Sequence, residues 1–179
     1  MKNLIKILRG KIRLYLPLIK SLQTILLIVT GIAGYVTTRC PITTFGTMLG
    51  LGGSLFLSIS GSTILNMWYD RDIDAKMPRT QNRPLPAGLI EPREALTVGL
   101  TLSALGVGIA LVMDILYGVI IFSGLFFDVV VYTIWLKRRT AWSIVWGGIS
   151  GGMPILAGRV LGVGSLDWIG IALMFSILF

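Results

Sequence analysis

The chain has no histidine, one cysteine and few charges: 13% of its 179 residues are Asp, Glu, Lys or Arg. A single cysteine, Cys40, excludes an internal disulfide and any cysteine metal cluster, and says nothing about redox compartment. With so little charge and 54% hydrophobic residues, the mean hydropathy reaches +0.83, a value rare in soluble domains, so a membrane protein is the first reading. Acids are the scarcest charge. Eight Asp and Glu stand against 16 Lys and Arg, a formal net charge of +8 that in a soluble protein would suggest nucleic acid. Here the distribution of the charge decides against that partner.

Apolar runs long enough to cross a bilayer, about 20 residues each, occur at 14–37, 44–69, 95–113, 115–136 and 141–161. A sixth begins near Leu166, and the residues left to Phe179 reach only about 21 Å, so the last span is expected to be incomplete and the chain to be the front portion of a longer protein. The basic N-terminus lacks an h-region with a cleavage site, which makes residues 1–13 a retained cytoplasmic segment ahead of a transmembrane domain over residues 14–179. Alternating the spans places fourteen of the 16 basic residues on one side, in the N-terminal segment, the loop from Asp70 to Glu94 and the turn Lys137, Arg138, Arg139. Only Arg39 and Arg159 fall on the other. That asymmetry predicts a multi-pass protein in the cell membrane with the loop and N-terminus cytoplasmic. Glycines inside the spans, among them Gly46, Gly50, Gly52, Gly53, Gly61, Gly151 and Gly152, predict close helix packing in lipid.

The chemistry concentrates in "NMWYDRDIDAKMPRTQNRPLPAG", residues 66–88. Asn66, Asp70 and Asp74 recur every four residues, so each is turned only about 40° from the last and all three line one face if the second helix continues past the apolar run. Asp72 points nearly the opposite way and is spaced to pair with Lys76. Pro78 ends the helix at or before Met77. Two carboxylates one turn apart at the mouth of a membrane bundle repel, and a hard cation removes that penalty; Mg2+ takes oxygen ligands, often one or two carboxylates with water and phosphate. Arg79 and Arg83 in the following loop match phosphate oxygens bidentately. The pattern describes a metal-bridged diphosphate site with an apolar floor. The alternative is a mixed-charge loop that only sets orientation.

This segment resembles the first aspartate-rich motif of the UbiA superfamily of intramembrane prenyltransferases. Together with "YTIWLKRRT" and "WGGISGGMP" it is most similar to the branch that farnesylates haem B. The resemblance covers the chain from about Lys20 onward and implies an all-α transmembrane bundle that moves an isoprenoid from its diphosphate with the help of Mg2+. By resemblance, Asn66, Asp70 and Asp74 hold magnesium and diphosphate, with Asp70 and Asp74 as the metal ligands and catalytic acids, and Arg83 contacts the phosphates. The donor implied is a prenyl diphosphate, farnesyl diphosphate for this branch, and the acceptor haem B or another hydrophobic molecule.

Other polar residues have competing readings. Lys20 could reach the diphosphate or snorkel to the interface. Lys137 could face the phosphate, although orientation alone explains Lys137, Arg138 and Arg139. Asp128, nine residues before Lys137, is expensive at that depth unless paired or facing a cavity, which makes it a candidate for acceptor binding or proton transfer. Tyr132, Trp135 and Trp142 are expected in an interfacial belt, and Asp114 in an outer loop. Two rivals remain at this point: a UbiA-type enzyme acting on an aromatic ring or lipid alcohol, and a cation-coupled transporter, which would place ionisable groups near the bilayer midplane.

Overall fold

The computed structural model describes residues 15, 18–38 and 44–177. The basic segment 1–13, Arg39 and Cys40 lie outside them. All regular structure among the described residues is helical: α1 (Ser21–Val36), α2 (Phe45–Asp74), α3 (Pro92–Met113), α4 (Ile115–Phe126) running on as a π-helical segment (Phe127–Leu136), α5 (Ser143–Val163) and α6 (Trp168–Ser176). Four of these, counting α4 with its π-helical continuation, are long and apolar enough to cross a membrane, and the fold is a multi-pass helical bundle.

α2 starts where Thr44 caps it, its hydroxyl accepting from the Thr47 N–H at 3.1 Å. Its 30 residues rise about 45 Å, well beyond the roughly 30 Å hydrocarbon core, so its final turns carry Asn66, Asp70 and Asp74 to the membrane rim as the spacing predicts. The helix stops at Ala75, ahead of Pro78. From there the loop folds as tight turns, with Thr80 Oγ1 donating to the Asp74 carbonyl at 2.9 Å and Leu85 and Ile90 buried against Leu18, Ile64 and Met67. A second core of Tyr117, Leu51, Leu55, Val160 and neighbouring apolar residues closes the other half of the bundle.

Several expectations are corrected. The first span is not one helix from 14 to 37: Lys20 adopts φ +47°, ψ +58°, and α1 begins after it. A left-handed non-glycine residue costs on the order of 1–3 kcal/mol, and Thr24 holds the break by donating from Oγ1 to the Ile19 carbonyl at 2.7 Å. The fourth span is not α-helical throughout, as described below. Glycine packing is selective. Gly61 lies against Ser103 and Gly99 of α3, whereas a Cβ at Gly52, Gly53 or Gly151 would meet nothing within 4 Å. Asp114 is an N-cap, not merely a loop residue: its Oδ1 accepts from the Tyr117 N–H at 2.8 Å and starts α4. At the same end of the bundle Arg159 is buried and joins three elements, donating to both carboxylate oxygens of Asp167 and to the Thr37 carbonyl and hydroxyl. The Arg159 hydrogen bonds hold the Asp167 carboxyl below its ordinary range.

Candidate active site

A cavity of about 850 Å³ opens at the end of the bundle where α2 overshoots the membrane. All eight site residues expected from the sequence line it: Lys20, Asn66, Asp70, Asp74, Arg79, Arg83, Asp128 and Lys137. α2 supplies one wall as a ladder. Ser58, Ser62, Asn66, Asp70 and Asp74, each four residues apart, face the cavity beside a second row containing Leu55, Ile59, Thr63 and Met67. The wall therefore grades from two carboxylates at the rim, through an amide and hydroxyls, to hydrocarbon roughly 28 Å below. Ile121, Leu125, Met153 and Pro154 continue the apolar floor.

At the rim the carboxylates are paired with cations. Lys137 Nζ donates to Asp70 Oδ2, and Arg138 lies 3.8 Å from Asp70 Oδ1. Arg83 donates to Asp74 Oδ2 at 2.8 Å. Both acids are buried while Lys137 and Arg83 stay about a third exposed, so the pairs sit at the mouth and not in the hydrocarbon. Asp70 Oδ1 is buried without a hydrogen-bond partner, an orphan oxygen in a polar cavity. Arg79 also reaches the cavity wall.

Deeper, four residues form one network. Thr133 Oγ1 donates to Asn66 Oδ1 at 2.8 Å, Asn66 Nδ2 donates to Asp128 Oδ2 at 2.8 Å, and Ser62 Oγ donates to the same oxygen. Asn66 thus has both ends of its amide engaged, its carbonyl turned to Thr133 instead of standing free at the rim. Ser62 and Thr133 were not singled out from the sequence. The ladder could have found Ser62, since it is the next step at four-residue spacing below Asn66.

The π-helical segment explains why Asp128 and Lys137 share the cavity. Nine residues make about two and a half turns of α-helix, which puts them on opposite faces. Here the Lys137 N–H bonds the Tyr132 carbonyl, five residues back, at 2.8 Å, and the widened turns bring Asp128, Tyr132 and Lys137 to one wall. Tyr132 accordingly departs from the expected belt and lies under Lys137, whose Nζ is 5.4 Å from the ring centre. Trp135 and Trp142 are exposed on the outside. Asp72 pairs with Arg138 at 2.7 and 3.0 Å and not with Lys76, because the end of the π-helical segment places the guanidinium beside it. Those hydrogen bonds raise the Arg138 pKa further above its ordinary value.

Helices long and apolar enough to cross a membrane surround a cavity with an ion-paired rim and an oily floor. The chain belongs to the UbiA prenyltransferase family, whose model matches residues 24–179. It is 44% identical over 150 residues to the protoheme IX farnesyltransferase of Archaeoglobus fulgidus, covering 84% of this chain and 53% of that protein. It is 42% identical over 172 residues to the one of Symbiobacterium thermophilum, covering 94% and 56%. The chain thus spans a little over half the length of these relatives. Among solved structures it resembles a UbiA homologue from Archaeoglobus fulgidus bound to DMAPP and Mg2+, with a TM-score of 0.80 at 18% identity over 92% of this chain and 60% of that one. A UbiA homologue from Aeropyrum pernix K1 in its apo form gives 0.73 at 21% identity over 87% and 60%.

Proposed function

We propose that this chain carries the diphosphate-binding part of a prenyltransferase that moves a farnesyl group from farnesyl diphosphate to haem B in the cell membrane. The observation that carries the reading is the two-carboxylate, multi-cation rim directly above an apolar cavity. The name shared by the curated relatives supports the donor and the acceptor.

Magnesium fits the donor set. Asp70 offers a buried oxygen that accepts no hydrogen bond, with the Arg138 guanidinium 3.8 Å away, and Asp74 lies one turn along the helix. Among the described residues no three Asp, Glu, His or Cys side chains converge, so the two aspartates would hold the ion, with diphosphate and water completing an oxygen shell. When bound, the ion supplies positive charge against the leaving diphosphate. The chain's own groups do the rest. Lys137 and Arg83, already on the aspartates, are the cations that can turn to phosphate oxygens, with Arg79, Arg138 and Lys20 around them. Their pull weakens the allylic carbon–oxygen bond as it breaks. The apolar walls hold the hydrocarbon tail and keep bulk water from the allylic cation before it meets the acceptor. Asn66, fixed by Thr133 and Asp128, presents a rigid amide edge just below the rim.

Membranes containing the full-length protein are expected to convert haem B to a farnesylated haem when given farnesyl diphosphate and Mg2+. Mass spectrometry that found prenyl groups only on aromatic acids or lipid alcohols would replace the acceptor and keep the reaction class. Cation flux without any prenyl product would replace the class with a transporter. A finer prediction concerns Arg83. Arg83→Lys keeps the charge and removes the planar fork, so the KM for the donor should rise about tenfold with kcat changed less than threefold. An unchanged KM would show that Arg83 serves Asp74 alone.

A further inference from the structure

Three acids line the cavity, and the roles above use two of them. Asp128 is the third. It stands level with Ser62 and Asn66, which lie about 12 and 6 Å below Asp70 along α2, so it sits beneath the metal-binding pair with Ile59, Ile121 and Leu125 around the same space. A diphosphate held at the rim would direct its allylic carbon down into the cavity, toward this level.

The two carboxylate oxygens are treated differently. Oδ2 accepts from Ser62 and Asn66, while Oδ1 has no hydrogen-bond partner among the described residues and is not sealed from the cavity. One oxygen is anchored and the other is presented. The hydrogen bonds to Ser62 and Asn66 do not require the charge, since the carbonyl of an asparagine would accept them just as well; the charge of Asp128 is felt by Lys20, which lines the same cavity. Asp128 stands level with Ser62 and Asn66, below the rim pair, and forms no three-acid cluster with Asp70 and Asp74.

We propose that Asp128 is the general base of the transfer, taking at Oδ1 the proton released on the acceptor side. The inference rests on the prenyl-transfer reading and deepens it. The allylic carbon–oxygen bond breaks with its electron pair going to the diphosphate, and the π pair of the acceptor's vinyl group forms the new carbon–carbon bond. Positive charge then sits on the vinyl carbon next to the ring. A water lone pair closes on that carbon, and the water's proton passes to Asp128. Diphosphate leaves, one water is consumed and one proton is released. With Ile59, Ile121 and Leu125 around the hydroxyl and amide of Ser62 and Asn66, a fixed base at this level gives that proton a defined acceptor and completes the step.

The test uses the full-length protein with Mg2+ and farnesyl diphosphate. Asp128→Asn and Asp128→Ala are expected to lower kcat about 10²- to 10⁴-fold. Donor affinity, measured with farnesyl diphosphate alone, should stay within about threefold, which also reports that the variants fold. Asp128→Glu should recover part of the rate, and formate should raise the rate of the alanine variant at least about tenfold without affecting wild type. Wild-type kcat in Asp128→Asn, loss confined to donor KM, or no response to formate would overturn the assignment and leave Asp128 as a prop for Asn66. If wild type modifies a different acceptor, the haem reading fails, and the same four measurements on that acceptor still decide Asp128.

Discussion

Full-length protein carrying Asp70→Asn together with Asp74→Asn should insert and fold normally and show no measurable prenyl transfer at any Mg2+ concentration. Losing one group that stabilises developing charge commonly costs about 10²–10³ in rate, and here both carboxylates of the candidate ion site go at once. The fold survives for a physical reason. Lys137 and Arg83, left without their carboxylate partners, are 37% and 32% exposed, so water can solvate them, and the neutral amides that replace the buried carboxylates leave no unpaired charge inside. Singly, each variant should need more Mg2+ for a given rate. Transfer by the double variant at near wild-type rate would remove the metal site from these residues and with it the central claim about α2.

A comparable effect, on stability instead of rate, is expected at the contact between α1 and α5. A Cβ added to Gly158 would lie 1.8 Å from the Gly31 carbonyl oxygen, and one on Gly34 would lie 2.0 Å from that of Ile155. Both obstacles are backbone atoms of a facing helix, so no side-chain rotation relieves them, and the helices must separate. Overpacking a tight core costs about 1–3 kcal/mol, occasionally more, and Gly158→Ala should fall at or beyond the top of that range. Gly151→Ala, seven residues earlier on the same helix and facing open space, should change stability by less than about 0.5 kcal/mol. Thermal unfolding in detergent distinguishes the two variants. Equal midpoints for Gly158→Ala and wild type would mean that the helices are not in the close contact described here.

Much of the site was legible because it obeys one period. Four-residue spacing from Asn66 through Asp74 makes a face on any helix, and Pro78 limits where that helix can end, so the rim follows from local rules. The partners of those residues were not legible. Whether Asp72 meets Lys76 or Arg138 depends on where a different helix finishes, and a chain-local preference for four-residue pairs has no access to that. The break at Lys20, itself a named candidate, was hidden for another reason: an apolar run of helical composition gives no sign that one lysine within it turns left-handed. Asp128 stood out as an expensive charge, yet its neighbours Ser62 and Thr133 are ordinary hydroxyls whose value comes only from being brought together.

The π-helical segment from Phe127 to Leu136 acts as a phase shifter between two helical clocks. Residues before it keep time with α4, where Phe122 and Phe126 face outward and Ile121 and Leu125 face the cavity. Residues after it would run half a turn out of step in an unbroken α-helix, and Lys137 would point away from Asp70. The widened turns absorb the mismatch in the backbone, so neither end has to surrender its side-chain pattern. The register of the membrane-facing surface and the register of the rim are thereby set independently within one continuous rod.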